Sequence, residues 1–508
     1  MSDQAETGGP DLASGIAQSD LQEGGMIAGH VGDQSVLLAR HEGKLYALDA
    51  KCTHYGAPLA DGAIIDCTLR CPWHHARFDL STGAAVGAPA LQALSCWKVE
   101  ISGDKMFVRE RVQPPEAPRR TENVPTSVVI VGGGAAGEAA AEMLRHEGYG
   151  GPVTILSDDS APPCDRPNLS KDYLAGTAQA DWIPLRDADF YREHEIELRL
   201  KTQVTAIEPA ASQLRLADGS TLGYGALLLA TGAEPVRLKL PGADLPHIHY
   251  LRTQADCEAI IAGIEAGAKR AVVVGASFIG LEVAAALRQR DIETHVVAPD
   301  ARPLERVMGP ELGDFIRALH ESKGVVFHLQ QSVTGFEADA VVLQSGERLA
   351  CDIVVVGVGV RARTALAEAA GLDVDHGVMV NEYLQTSVAN IYAAGDIARW
   401  PDPYSGERMR VEHWAVAQRQ GQAAARNMLG AKQAFTQAPF FWSQHYDAAI
   451  NYVGHAAHWD RIETDGDASK YDFSARYIDA GRTAALATIY RDIESLKEEA
   501  AMEAQAGR

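Results

Sequence analysis

The chain has 508 residues, 46% of them apolar and 22% charged. That is the mix of a globular protein with several buried cores, and it excludes a disordered or fibrous chain. A formal net charge of −22 repels phosphate backbones and anionic lipid, so nucleic acid and membrane surfaces are poor partners while a basic docking partner fits. No apolar run reaches the roughly 18 residues of a membrane span. Residues 1–20 carry no Lys or Arg, unlike a signal peptide. Seven cysteines, an odd and sparse set, suit the cytoplasm better than a disulfide framework.

In chain order, residues 1–23 are polar and glycine-rich without periodicity and read as a disordered tail. Residues 24–112 alternate short β-like runs (35–38, 45–48, 77–80 and 106–108) with glycine-marked turns, the pattern of a small all-β domain. Residues 113–126 hold four prolines and no apolar pattern, so they form a linker. Beyond it a β-branched run (127–131) leads into Gly132–Gly137, a helical stretch (138–146) and a strand (153–156). The same order recurs in 271–274, Gly275–Gly280, 281–290 and 294–297, with the leading glycines 143 residues apart. Two β-turn-α-β units imply two nucleotide-binding α/β domains. Further strands are expected at 226–229, 353–356 and 391–393. The expected partition is one α/β domain in two parts (127–243 and 367–436), a second inserted between them (244–366), and a C-terminal α+β domain (437–508). That last domain opens with the aromatic stretch 439–452 and ends in a charged helix at 493–504.

Two constellations carry chemistry. Cys52-Thr-His54 is followed, after sixteen intervening residues, by Cys71-Pro-Trp-His74. Thiolates and imidazoles in two tight loops form a metal site. A structural zinc site is one reading, but a first pair separated by a single residue is unlike zinc modules. A Rieske [2Fe–2S] centre needs one Cys pair and one His pair from two loops, which this spacing supplies. Cys67 and Cys96 read as buried small hydrophobes. In the first glycine motif, Gly132 permits the tight turn, Gly134 lets backbone approach a pyrophosphate, and Gly137 allows close helix–strand packing. Asp158, 21 residues after Gly137, stands where an acid binds a ribose. The second motif, Gly275-Ala-Ser277-Phe278-Ile279-Gly280, has Ser at the middle position, tolerable if its backbone conformation is an allowed one. Ala298 occupies the place of the second ribose-binding acid, with Asp300 two residues on and no basic residue immediately following, so NADH is expected to serve at least as well as NADPH.

The segment CTHYGAPLADG…CPWHHARFDLSTG resembles ferredoxin-type Rieske domains. High-potential Rieske proteins carry an extra Cys in each loop, forming a disulfide. Those positions resemble Ala57 and Trp73 here, and the place of a hydroxyl donor to sulfur resembles Ala76, which implies a potential towards the low end. His75 departs from the Gly usual after the His ligand. The ordered motifs VVIVGGGAAG, CDRPNLSK, ATGAEP, VVVGASFIGLEVA, VVVGVGV, YAAGDIA, VEHW and FWSQ resemble oxygenase-coupled ferredoxin reductases and the apoptosis-inducing-factor-like flavoproteins with an N-terminal Rieske domain.

The resemblance implies FAD, a [2Fe–2S] cluster held by Cys52, His54, Cys71 and His74, and NADH or NADPH as substrate. It places Gly132, Gly134 and Asp158 on the ADP half of FAD and Arg166 and Lys171 on the flavin side. Val204, Thr231, Gly232 and Arg252 line the adenine and pyrophosphate path, and Asp396 bonds the ribityl or pyrophosphate. Glu412, His413 and Trp414 border the isoalloxazine, and Trp442 covers its edge, with core packing the alternative for both tryptophans. Gly275, Ser277, Phe278, Ile279, Gly280 and Glu282 belong to the nicotinamide side. Lys171 and Glu282 are expected to pair near the reactive edge, catalytically or as a structural salt bridge. The implied activity is an NAD(P)H-dependent oxidoreductase passing single electrons through its own cluster to an oxygenase, ferredoxin or cytochrome. A slow redox-sensing flavoprotein is the alternative, and a homo-oligomer is compatible with either. A thiol oxidoreductase using Cys164 is disfavoured, because related thiol flavoproteins place their redox Cys in the segment that here reads 168–171.

Overall fold

The computed structural model describes residues 8–112, 120, 122 and 124–506. It falls into two compact units, one of residues 1–120, 146–148 and 491–508, the other of residues 121–145 and 149–490. Most of the proline-rich stretch 113–126 lies outside the described residues.

Among its described residues the first unit is built on β-strands, with two single-turn 3-10 helices and one long helix, Asp492–Ala506. A six-stranded antiparallel sheet runs in the order Ile16–Ala17, Lys105–Val112, Cys96–Ser102, Lys44–Asp49, Gln34–His41, Met26–Val31. A four-stranded sheet follows from Ala63–Ile65, Thr68–Arg70, Arg77–Asp79 and Ala85–Gly87. The strand Gln34–His41 buries four consecutive residues because it has a core on each face. Leu37 and Ala39 join the core under the small sheet, while Val36 and Leu38 join the other. That is why it reads as an apolar run rather than as an alternation. The expected N-terminal tail is structured from residue 8, with Leu12 (0% exposed) and Leu21 (2%) sealing the second core. Two isolated leucines in a polar segment leave no period to read. Cys96 is buried as expected, but Cys67 is exposed. Ile65 and Thr68 pair across a two-residue turn, so Asp66 and Cys67 both take positive φ and the Cys67 side chain sits at the hairpin tip.

The second unit holds two parallel sheets built alike. One runs Ile196–Arg199, Val153–Leu156, Val128–Val131, Ala226–Leu229, Ile391–Ala393; the other runs Ile248–Tyr250, Ile353–Val356, Arg270–Val274, Glu293–Ala298, Val325–Leu329. Each parallel sheet has a central strand, Val128–Val131 or Arg270–Val274, that leads through a glycine turn into a helix, Ala135–His146 or Phe278–Gln289. These central strands are apolar almost throughout because helices and loops cover both faces. A five-stranded antiparallel sheet, from Phe440–His445 to Arg482–Ile489, completes the unit. The fold class is the expected one in its all-β module and its two Rossmann-like α/β regions. Of the α+β region expected over 437–508, the sheet belongs to the second unit and the helix Asp492–Ala506 to the first, so the C-terminal part of the second unit is β-rich. Among the described residues no helix is long and apolar enough to cross a membrane.

Candidate functional site: a metal centre and a dinucleotide cavity

In the first unit the two ligand loops present their donors in like pairs. The Cys52 and Cys71 thiols hydrogen-bond each other, which eases ionisation of Cys52; the same contact, with burial, raises Cys71. The His54 and His74 rings meet edge to face with their Nδ1 atoms 3.2 Å apart. Two imidazole nitrogens on one tetrahedral metal lie about 3.3 Å apart, so the pair already has the spacing of ligands to a single ion. Desolvation between the loops pushes His54 down to about 3, keeping the neutral ring that binds metal. A sulfur pair and a nitrogen pair fit the two irons of a Rieske centre. Ala57 and Ala76 are both buried, and neither offers a hydroxyl.

In the second unit the glycine turns form cradles that a side chain would fill. Gly132 has φ +115°, and a Cβ there would lie 2.1 Å from the Ala230 carbonyl oxygen; Gly275 has φ +111° and the matching clash, 2.3 Å from Gly357 O. Ser277 needs no such freedom, because its backbone is extended (φ −85°, ψ 175°). Its hydroxyl caps the helix at Gly280 N and donates to Gly357 O (2.9 Å), which explains why Ser is accepted at a glycine position.

Between the two folds lies a cavity of about 540 Å³. Gly134, Arg166, Lys171, Gly232, Arg252, Phe278, Ile279, Glu282, Asp396, Glu412, His413, Trp414 and Trp442 all line it. Trp414 also packs on the main core, so its packing and lining roles coexist. The cavity's cationic end holds Arg252, paired with Asp396 at 2.8 Å, and Arg166. Among the described residues Arg166 has no carboxylate in ion-pair range, and burial together with the Arg252 cation pushes it down to about 10. A crowded, unneutralised guanidinium beside a glycine turn and a helix N-terminus is a site for a pyrophosphate.

At the other end Lys171 Nζ lies 2.8 Å from Glu282 Oε2, with side chains 15% and 5% exposed. The Ser170 and Ser443 hydroxyls each donate to the same carboxylate at 2.6 Å. Both serines sit inside quoted motifs, CDRPNLSK and FWSQ, but only their burial against Glu282 marks them out. Burial pushes His413 down to about 3 and raises Glu412, which ion-pairs with Arg410 at 2.6 Å. Cys164 is buried and its thiol is pushed up to about 11, a poor redox nucleophile.

Several expected contact residues stand off the cavity. Gly132, Gly137, Gly275, Ser277 and Gly280 shape the turns rather than the wall. Val204 is part of the hydrophobic core. Asp158 is ion-paired with Arg363 at 2.6 Å, and the Thr231 hydroxyl donates to the Arg363 carbonyl. That arginine, 205 residues from Asp158, had no motif to announce it.

Two linked nucleotide folds, a cavity between them and a Cys₂His₂ pair of loops define a flavin- and nicotinamide-dependent oxidoreductase with a Rieske centre. The pyridine nucleotide-disulphide oxidoreductase pattern matches residues 126–421, the Rieske [2Fe-2S] domain residues 14–98, and the reductase C-terminal domain residues 440–506. The chain is 32% identical to apoptosis-inducing factor 3 of Homo sapiens across 93% of its own length and 81% of that protein. It is 37% identical to putidaredoxin reductase CamA of Pseudomonas putida, over 73% of this chain and 90% of that one. The solved covalent putidaredoxin reductase–putidaredoxin complex superposes with a TM-score of 0.72 at 36% identity, covering 75% of this chain and 93% of the reductase. The chain belongs to the pyridine nucleotide-disulphide oxidoreductase family, as a ferredoxin-reductase-type enzyme with its own Rieske domain. Its cofactors are FAD and a [2Fe–2S] cluster, with NAD(P)H as substrate.

Proposed function

We propose that this enzyme takes hydride from NAD(P)H and delivers the electrons one at a time through its own Rieske cluster to an acceptor protein of the ferredoxin, oxygenase or cytochrome class. The carrying observation is that one chain builds both ligand sets: the cavity with its Arg166 and Lys171–Glu282 ends, and the paired thiols and imidazoles of the cluster loops. Bound FAD supplies a two-electron acceptor that can be discharged in single steps, and a Rieske centre takes one electron. In this reading Gly134, Arg166, Arg252 and Asp396 hold the FAD phosphates and ribityl chain, and Gly132 shapes the turn that lets them. His413, Trp414 and Trp442 enclose the ring, and Phe278, Ile279 and Glu282 face the nicotinamide. Lys171 presents a cation towards the reactive edge, and Ser170 and Ser443 fix the Glu282 carboxylate that orients it. The relatives support the acceptor class: one is a putidaredoxin reductase, solved in covalent complex with putidaredoxin. A slow redox-sensing role is favoured by one observation, the likeness, across 93% of this chain and 81% of that protein, to one named apoptosis-inducing factor 3.

Rapid mixing with NADH tests the order. Flavin bleaching should precede the reduced-cluster EPR signal, and His74→Ala should abolish cluster reduction while leaving flavin-linked dye reduction intact. Cluster reduction in FAD-depleted protein would refute the route. Electron delivery to every acceptor on a timescale of minutes or longer would favour the sensor.

A further inference from the structure

The two cluster loops close by one rule. In each six-residue turn the leading Cys N–H donates to the carbonyl of the sixth residue, Cys52 to Ala57 (2.9 Å) and Cys71 to Ala76 (2.8 Å). In both, the fifth residue is left-handed: Gly56 at φ +75° and His75 at φ +58°. Glycine adopts that conformation freely, whereas a residue with a side chain is strained there and stays only where its surroundings hold it. This is the physical reason a Gly is usual at the His75 position.

His75 is held from outside the loop. Its ring is 0% exposed, and Nδ1 lies 3.1 Å from Oε2 of Glu499, itself 0% exposed. Glu499 sits on the C-terminal helix Asp492–Ala506, 424 residues along the chain. Glu503 follows one turn later on the same helix face. Arg70 and Arg77 are cross-strand partners that bracket the loop. Arg70 reaches Glu499 (3.3 Å) and Glu503 (3.1 Å), and Arg77 reaches Glu499 (3.2 Å) and pairs with Glu503. With two guanidiniums against it, the Glu499 carboxylate is an acceptor only, so the His75 Nδ1 carries the proton and donates.

We propose that Glu499 is a positioning residue of the Rieske centre: by anchoring His75 in the left-handed conformation, the C-terminal helix sets the second cluster loop and places a carboxylate, itself paired with Arg70 and Arg77, against the neighbour of the ligand His74. Reduction adds negative charge to the cluster, and a fixed carboxylate beside it opposes that change. Removing this one charge while Arg70 and Arg77 stay therefore raises the potential. The inference rests on the [2Fe–2S] cofactor and not on the route its electrons take.

The test uses full-length, FAD- and cluster-loaded protein and two readouts, iron release to a chelator and a potentiometric titration followed by EPR. Glu499→Ala should release iron about tenfold faster than wild type at unchanged FAD content. Adding His75→Gly to that variant should restore most of the retention, because glycine needs no anchor. Glu499→Gln keeps an acceptor for His75 but removes the charge, so it should retain iron and titrate at a higher potential. Iron release that is unchanged in Glu499→Ala, or not slowed by His75→Gly, overturns the proposal. So does an unshifted potential in Glu499→Gln, which decides the matter alone if the alanine variant does not fold. Wild-type protein lacking a [2Fe–2S] cluster would instead refute the cofactor assignment.

Discussion

Replacing Lys171 with Met separates a catalytic cation from a structural salt bridge. The substitution leaves Glu282, 5% exposed, without its counter-ion at 2.8 Å. Breaking a buried pair by removing one partner costs about 3–5 kcal/mol. Glu282 keeps the two serine hydroxyls at 2.6 Å, and hydrogen bonds to a charged group contribute about 1.5–3 kcal/mol each, so the loss should fall at or below the low end, about 2–3 kcal/mol. In calorimetry at saturating FAD this is a fall of roughly 3 °C in the transition of the nucleotide-binding unit. Lys171→Met/Glu282→Gln removes the stranded charge while an amide still meets both serines, so it should regain about 2 kcal/mol. The rate of hydride transfer should behave otherwise. A cation aimed at charge that develops during transfer is worth about 10²–10³ in rate, and the double variant should stay slow. Recovery of rate together with stability would make the pair structural. A loss below about 0.5 kcal/mol in Lys171→Met would show that solvent already screens the pair.

Glu138, fully buried on the first nucleotide helix and hydrogen-bonded by the Tyr191 hydroxyl, is pushed up to about 8 by burial and then by Glu142. A raised carboxyl pKa means the native state holds a proton that the unfolded chain has lost, so stability falls as pH rises from about 4.5 to 8. Glu138→Gln should raise the melting temperature at pH 8 by an amount equivalent to about 2–4 kcal/mol and leave it unchanged near pH 4.5; equal gains at both pH values would refute this. On the coenzyme side Ala298 is buried, and Asp300 is taken up by Arg306 at 2.7 Å. NADH should therefore serve at least as well as NADPH. An NADPH preference of about tenfold in kcat/KM, abolished by Arg306→Ala, would show that this cavity-lining arginine reads the 2′-phosphate. Gly132→Asp should yield protein without FAD, since its side chain would start 2.1 Å from a backbone oxygen; full flavin occupancy would refute the cradle.

What could be read from the chain alone is what few neighbours determine. A strand, a glycine turn and a helix follow from local backbone preference, so the strands at Val153–Leu156, Ala226–Leu229, Ile353–Val356 and Ile391–Ala393 fall where the sequence pattern predicts them. The Cys and His ligands are legible for the same reason, each pair being confined to one tight loop. The exposed Cys67 was misread because a two-residue turn at Asp66–Cys67 carries no glycine or asparagine to announce positive φ. Leu12 and Leu21 seal a core that residues 8–23 show no periodic sign of entering. Only the tertiary structure assigned the partners: Ser443 to the buried Glu282 across 161 residues, the buried Glu499 to His75 across 424, and, at a half-exposed site, Arg363 to Asp158 across 205. A buried charge must be paired, and the chain states that need in the residue itself. The partner is set by which distant segments the packing of the cores brings together, and no local pattern records it.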